Sequence, residues 1–344
     1  MDLQLIWFVL IAVLFTGYFF LEGFDFGVGI TLPFLSQDDT DRRVMINTVG
    51  PFWDANEVWL ITAAGAMFAA FPHWYASLFS AYYLPFFLIL LALIVRAVGF
   101  EFRSKVDSPK AVRACDAGIV FGSFVPAFWW GVMLTGVVMG LSLDETMNFV
   151  GTPTELVQPY ALLGGVVAVA IFALHGAYFL TLRTTGALRK RAHRLAGRLW
   201  WPTLGLVLLF AFWGRSHTVL FEDAGLVPGT LPMLAFVAYV AAGVFTYWRN
   251  DIWAFASMGV TIVLATIVAF QGLFPRVMPS RFGEEFDLTV YNASSSDLTL
   301  QVMLGVAVIF VPVVLAYQGW SYWVFRQRVT REAITGEDVG GDEK

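Results

Sequence analysis

Long apolar stretches separated by short polar loops recur along the whole chain. Each stretch approaches the roughly 20 residues that a helix needs to cross the hydrocarbon core of a membrane. These runs are too long and too evenly apolar for the strands of a membrane barrel, so the pattern predicts helices. The nine predicted spans lie at about residues 5–33, 52–71, 76–102, 115–140, 158–182, 198–214, 230–248, 251–273 and 299–325.

The composition agrees with this class. Hydrophobic residues make up 58% of the 344 residues and charged residues only 14%, against roughly 25% in ordinary soluble domains. We therefore predict an all-α integral membrane protein. Residues 1–330 form a single transmembrane domain, and residues 331–344 form a short polar cytoplasmic tail. Similar FP turns after the second and eighth spans indicate two four-helix bundles with a peripheral ninth helix.

The charges of the loops predict the orientation. Most of the 21 basic residues lie in alternate loops, at 42–43, 103–113, 183–198, 249 and 326–344. The positive-inside rule then places the N-terminus outside and the C-terminus in the cytoplasm, as an odd number of spans requires. The first span has no basic segment before it and no small-residue cleavage site, so we expect it to be retained as a helix.

Five charged residues lie inside the first three predicted spans. A charge in hydrocarbon costs roughly 2.5–3.5 kcal/mol on insertion scales. Membrane proteins therefore keep such groups where they pair, line a wet cavity or carry protons and ions. The five residues are Glu22, Asp25, Asp54, Glu57 and Arg96.

The predicted topology brings these groups to a similar depth. Asp25 falls in the cytoplasmic half of span one, Asp54 and Glu57 in the first turns of span two, and Arg96 shortly before the cytoplasmic end of span three. A carboxylate cluster beside one arginine can exchange protons near neutral pH, because burial raises the pKa of an acid whereas a neighbouring cation lowers it. The alternative is a static ion network that fixes helix register, which the surplus of acids over arginine disfavours.

Histidine and cysteine are scarce. Of the four histidines only His175 lies deep in a span, whereas a bis-histidine haem needs two at matching depth. The ten methionines leave histidine–methionine ligation open, although their spacing singles none out. The single cysteine, Cys115, excludes an internal disulfide and a covalent c-type haem. We predict no metal site in this chain and no nucleic-acid partner. If the protein serves redox chemistry, we expect its cofactors to lie in another chain.

Six motifs together resemble subunit II of the cytochrome bd quinol oxidases. They are LEGFDFGVG (21–29), GPFWDANEVWLITAAGAMFAAFP (50–72), IVRAVGFEFRSK (94–105), GSFVPAFWWGV (122–132), HGAYFLTLRTTG (175–186) and NASSSDLTLQVML (292–304). The similarity runs in order from the first span to about residue 325. The chain departs from the family in its loops, in its tail after Arg331 and at Glu57.

The resemblance implies a terminal oxidase of the bacterial inner membrane that oxidises quinol and reduces oxygen to water. A partner, subunit I, would complete a heterodimer and ligate two b-type haems and one d-type haem. Small accessory subunits and a structural quinone in this chain are left open. Carried onto this sequence, the proton route uses Asp25 and Asp54 with Arg96 nearby, and an oxygen route begins near Trp59. Glu22 and Glu57 are weaker candidates that neighbour this route.

Two other interpretations remain open from the sequence. A proton-coupled secondary transporter acting without a haem partner would explain acids inside spans. It predicts a midplane site between two repeats, whereas these charges lie toward one face and in one half of the chain. The other interpretation is a purely structural scaffold for a redox subunit, in which the acids have no proton role.

Overall fold

A computed structural model describes residues 2–218 and 229–336, and these residues are predominantly helical. The helices in chain order are α1 (Leu3–Leu35), α2 (Asp39–Val49), α3 (Trp53–Ala70), α4 (Pro72–Ala81), α5 (Tyr83–Phe102), α6 (Pro109–Val138), α7 (Pro159–Arg183), α8 (Gly186–Gly214), α9 (Thr230–Tyr247), α10 (Asp251–Leu273), α11 (Asp297–Val324) and α12 (Arg331–Thr335). Short 3₁₀ turns lie at Pro153–Val157 and Glu284–Phe286, and strands β1 (Arg276–Met278) and β2 (Leu288–Thr289) pair antiparallel.

Over the described ranges, eight helices are long and apolar enough to cross a membrane, namely α1 and α5 to α11. This confirms the prediction of an all-α protein with many apolar spans. The second predicted span is the 18-residue helix α3, which does not join the eight. Its first turns carry Asp54, Asn56 and Glu57. The count of nine, the bundle arrangement and the orientation therefore stay predictions.

Two helices differ in extent from the predicted spans. The stretch 76–102 is divided at Tyr82 into α4 and α5. Pro85 lies in the first turn of α5, where its ring would crowd the carbonyl of Ala81 in a continuous helix. Helix α8 begins at Gly186, well before the predicted start at 198, because its basic segment is amphipathic and buries Leu188, Ala192 and Ala196 along one face.

Helix α1 is central to the packing and contacts α3, α6, α7 and α10. Every residue from Glu22 to Leu32 is buried. A Cβ at Gly27 would lie 1.9 Å from the carbonyl oxygen of Phe172 and 2.6 Å from the nitrogen of Gly176. Only glycine permits this close crossing of α1 and α7, so the role of Gly27 is helix packing.

The predicted tail begins as part of the folded structure. Arg331, the first residue of α12, bonds Asp41 Oδ1 at 2.5 Å and Asp38 Oδ2 at 2.8 Å. Asp38 also caps α2 by accepting a hydrogen bond from the backbone N–H of Asp41. The contact attaches α12 to α2, and the remaining tail residues, 337–344, lie outside the described ranges.

Candidate functional site

The centre of the candidate site is the guanidinium of Arg96 on α5. Its Nη1 donates to Glu22 Oε1 on α1 and, at 3.1 Å, to Glu57 Oε1 on α3. The side chains of Arg96 and Glu22 are fully buried, and that of Glu57 is 18% exposed. The guanidinium carbon also lies 4.9 Å from the ring centroid of Phe26. One cation thus joins three helices inside the membrane-spanning region.

Close helix packing fixes the position of Arg96. A Cβ at Gly122 on α6 would lie 2.3 Å from Arg96 Cβ and 2.4 Å from the carbonyl oxygen of Ala92. Glycine therefore lets α6 pack directly on the α5 backbone at the arginine. Because α6 packs on Cα and Cβ of Arg96, the guanidinium is directed toward α1 and α3.

Asp25 does not bond Arg96; it is held by an amide that sequence reasoning missed. Asn56 Nδ2 donates to Asp25 Oδ2 at 2.7 Å, and both side chains are fully buried. Asn56 Oδ1 accepts from Tyr322 OH at 2.8 Å and from Gln318 Nε2 at 3.2 Å. The sequence does mark Asn56 and Gln318 as polar residues within apolar segments. Their hydrogen-bond partners, however, depend on which helices pack together.

Trp59 belongs to the same network. Its Nε1 donates to Gln318 Oε1 at 2.8 Å, which ties α3 to α11. A Cβ at Gly17 would lie 2.2 Å from Trp59 Cζ3, so the indole fits against bare α1 backbone. Gln318 thus bonds both Asn56 and Trp59, and the residues predicted for the proton and oxygen routes share a hydrogen-bonded frame.

Asp54 lies apart from this cluster. It is exposed on the outer face of α3, and its carboxylate has no hydrogen bond or ion pair within the described residues. Asn56 follows two residues later, about 200° around the helix, and faces inward. The exposed Ala55 and Val58 flank Asp54 on the outer face. The structure therefore brings together Glu22, Glu57 and Arg96, links Asp25 to them along α1, and leaves Asp54 facing outward.

Several buried polar atoms of the cluster have no hydrogen-bond partner among the described residues. Three acids (Glu22, Asp25 and Glu57) lie around a single buried cation, which bonds two of them, Glu22 and Glu57. Among the described residues, Glu22 Oε2, Asp25 Oδ1 and two nitrogens of Arg96 are buried without a partner. Because an unpaired buried polar atom costs about 1–3 kcal/mol, these carboxylate oxygens are positions where a proton would be held.

A cavity of about 610 Å³ opens beside this cluster at the predicted cytoplasmic end. Its lining includes Asp39 and Arg103 near the surface and the rings of Trp53 and Phe100. The Phe100 ring centroid lies 5.2 Å from the guanidinium carbon of Arg96. One aromatic layer thus separates a polar surface cavity from the buried charges.

The residues around His175 do not fit a haem. The His175 Nε2 lies 3.2 Å from the carbonyl oxygen of Phe20, and its ring stacks on Phe255 with centroids 4.7 Å apart. Phe24 lies against it as well. Across the part of the chain that the structure describes, no group of three or more His, Cys, Asp or Glu side chains could hold a metal ion. His175 is a packing residue between α1, α7 and α10.

The fold and the cluster define a multi-pass helical membrane protein that carries ionisable groups within its spans. Residues 3–325 match the model of the family described as cytochrome bd terminal oxidase subunit II. The chain belongs to this family, as the resemblance of its motifs predicted. It is thus a subunit of an oxidoreductase of the bacterial cell membrane, and the family supports this interpretation rather than a transporter.

Relatives match over nearly the whole chain. The cytochrome bd ubiquinol oxidase subunit 2 of Bacillus subtilis (strain 168) is 46% identical over 327 residues, covering 95% of this chain and 97% of the relative. The cytochrome bd-I ubiquinol oxidase subunit 2 of Escherichia coli (strain K12) is 36% identical over 365 residues, 96% of each chain. A chain in the structure of bd oxidase from Geobacillus thermodenitrificans has the same fold, with a TM-score of 0.74 at 17% identity over 94% of this chain and 99% of that one.

Proposed function

We propose that this chain is subunit II of a cytochrome bd-type quinol:oxygen oxidoreductase and contributes its proton-uptake route. The relatives of matching length are named as ubiquinol oxidase subunits, which supports quinol as the electron donor. A haem-bearing subunit I is the proposed partner, holding two b-type haems and one d-type haem that carry the oxygen chemistry. The lack of a fitting haem environment at His175 agrees with that division of labour.

The observation that supports the proton role most directly is the surplus of buried acids around Arg96. Reduction of one oxygen molecule to water consumes four protons, so the oxidase needs a path for them through apolar protein. Protons would enter by the cavity beside Trp53 and Phe100, reach Glu57 at the edge of the cluster, and pass to Glu22 next to Arg96. Uptake from the cytoplasmic side would make the reaction electrogenic without a separate pump.

Asp25 is the proposed inner acceptor on this route. It lies on the same helical face as Glu22, three residues further along α1. Its Oδ2 accepts from Asn56, while its Oδ1 is buried with no partner among the described residues. Asn56 would position the carboxyl group and leave the second oxygen able to take a proton. Asp54, on the outward face of α3, is the proposed group at the contact with subunit I.

An oxygen route beginning near Trp59 is the second part of the proposal. Oxygen is apolar and partitions into lipid, so its path needs apolar walls and a fixed opening. Gln318 and the backbone at Gly17 hold the indole of Trp59 between α3, α11 and α1. We place the helices in one transmembrane domain, residues 1–330, with α3 as the second of nine spans and the N-terminus outside.

The proton role is tested with Asp25→Asn and Asp54→Asn in the purified two-subunit oxidase. Glu145→Gln, at an exposed loop acid in the predicted outer half, is the matched control. We expect quinol-driven oxygen consumption to fall at least tenfold in the Asp25 variant, with haem content unchanged in a reduced-minus-oxidised spectrum. Full turnover with normal haem content would refute the proton role and favour the interpretation of this chain as a purely structural scaffold. Haem bands without a copurified second subunit would refute the proposal that subunit I holds the haems.

A further inference from the structure

A second cavity, of about 450 Å³, lies away from the acid cluster. It is formed where the turn between α7 and α8 meets the turn between α9 and α10, at the predicted cytoplasmic end. The charged and titratable side chains of its wall are Arg189, Lys190, His193, Arg194, Arg249 and Asp251. Four permanent cations thus surround one carboxylate in a concave site.

One ion pair joins the two turns. Arg189 donates to Asp251 Oδ2 from Nη2 at 2.6 Å and from Nε at 3.0 Å. His193 Nδ1 lies 3.5 Å from the other oxygen of Asp251. The opposite face of α8 buries Leu188 and Ala192 in the core. The pairing neutralises one cation and fixes the wall of the cavity, while the basic face of α8 stays directed outward.

Within the described ranges, no side chain neutralises the other three cations. Lys190 and Arg249 form no ion pair within residues 2–218 and 229–336, and Arg194 contacts only the backbone carbonyl of Lys190, at 3.4 Å. All three are exposed. Arg249 has a left-handed backbone, with φ of 57°, at the tight turn between α9 and α10. An excess of three positive charges around a cavity is a site for an anion.

The neighbouring side chains place this cavity at the depth of lipid headgroups. Tyr247, Trp248 and Trp253 adjoin Arg249 and are 86%, 66% and 57% exposed. Exposed tyrosine and tryptophan rings are typical of the boundary between hydrocarbon and water, where their apolar and polar parts are both satisfied. We propose that the cavity binds the phosphodiester headgroup of an anionic phospholipid of the inner leaflet. Basic pockets between membrane helices on the cytoplasmic side bind such headgroups.

The alternative is that these residues only set topology, as basic loops generally do. Topology requires charge on one side of the membrane but no shared cavity. Here, residues about 60 positions apart in sequence converge on one volume, through the pair of Arg189 and Asp251. A lipid site depends on the geometry of Lys190 and Arg249, whereas a topology signal depends only on the number of charges. A matched variant can therefore separate the two.

The test variant is Lys190→Gln/Arg249→Asn in the whole oxidase complex. Asparagine is chosen because it tolerates the left-handed backbone at 249 better than most residues. The control is Lys110→Gln/Arg113→Gln, which removes the same charge from two exposed residues of α6 outside the cavity. Delipidated complex in mild detergent is titrated with dioleoyl phosphatidylglycerol, with dioleoyl phosphatidylcholine and with inorganic phosphate. Native mass spectrometry counts the bound molecules.

We expect the first phosphatidylglycerol to bind about 30-fold more weakly to the test variant, from about fivefold for each basic residue near a membrane surface. The control variant should stay within about twofold of the unmodified complex. Equal loss in both variants would show a general charge effect and overturn the proposal. Equal binding of phosphatidylcholine, or displacement of the lipid by inorganic phosphate, would overturn it as well, the latter in favour of a free-anion site.

Discussion

The pairing of Arg96 with Glu22 gives a direct test of how the buried cluster is held together. Arg96→Gln removes the cation and leaves two carboxylates behind, on Glu22 with no exposure and on Glu57 with 18%. Removing one partner of a buried ion pair costs about 3–5 kcal/mol, because the remaining charge is uncompensated. We therefore expect Arg96→Gln to destabilise the folded complex by about this amount.

Glu22→Gln should be much milder. Arg96 keeps Glu57 at 3.1 Å, and the new amide can still accept a hydrogen bond from the guanidinium. We expect a loss of about 1–2 kcal/mol, in the range of one weakened charged hydrogen bond. The double variant Arg96→Gln/Glu22→Gln removes both members of the buried pair, so the carboxylate that loses its cation is that of Glu57, which is 18% exposed. The loss in the double variant should be smaller than that of Arg96→Gln alone, with an interaction energy of about 2–3 kcal/mol between the two sites.

The measurement is the free energy of unfolding of the purified complex in mixed micelles, followed by the haem absorbance as denaturing detergent increases. Lys105→Gln is the control, since its pair with Glu101 is exposed on both sides and should be worth less than about 1 kcal/mol. A double variant that is as unstable as, or less stable than, Arg96→Gln would refute the reasoning. That result would mean that Arg96 acts through packing on Phe26 and Phe100 rather than through charge.

Two further predictions concern the groups around this cluster. Asn56→Leu removes three hydrogen bonds and should destabilise the protein by about 2 kcal/mol, at roughly 0.6 kcal/mol for each hydrogen bond between membrane helices. It should also slow oxygen consumption, because Asp25 loses its positioning partner. Unchanged turnover would argue against that role of Asn56. Outside the membrane, hydrogen bonds from Arg331 and the Asp41 backbone hold the pKa of Asp38 below its usual range. Attachment of α12 should therefore persist above about pH 4 and weaken as the pH falls through the lowered pKa, which hydrogen exchange of residues 331–336 measures. Arg331→Gln should weaken the attachment at neutral pH and reduce this pH dependence; protection that ignores both changes would contradict it.

Several features of the site could be predicted from the sequence, because they are local. A charge inside an apolar run is visible without knowing the fold, and its cost in hydrocarbon marks it for a partner or a function. Arg96 and the acids of α1 and α3 were found in this way, and the motifs around them indicated the family. The partners could not be found similarly, since Asn56 is more than 260 positions from Gln318 and from Tyr322 and meets them only when α11 packs beside α3.

The sequence by itself determined that this is a helical membrane protein with ionisable groups in its first spans. Transfer of apolar side chains out of water depends on each segment's own composition, so length and hydropathy suffice. Tertiary structure alone decided that Arg96 pairs with Glu22 and Glu57, that Asp25 bonds Asn56, and that Asp54 faces outward. Those choices depend on the rotation of each helix and on glycine contacts that set the distances between helices, and neither is encoded in the hydropathy of a single segment.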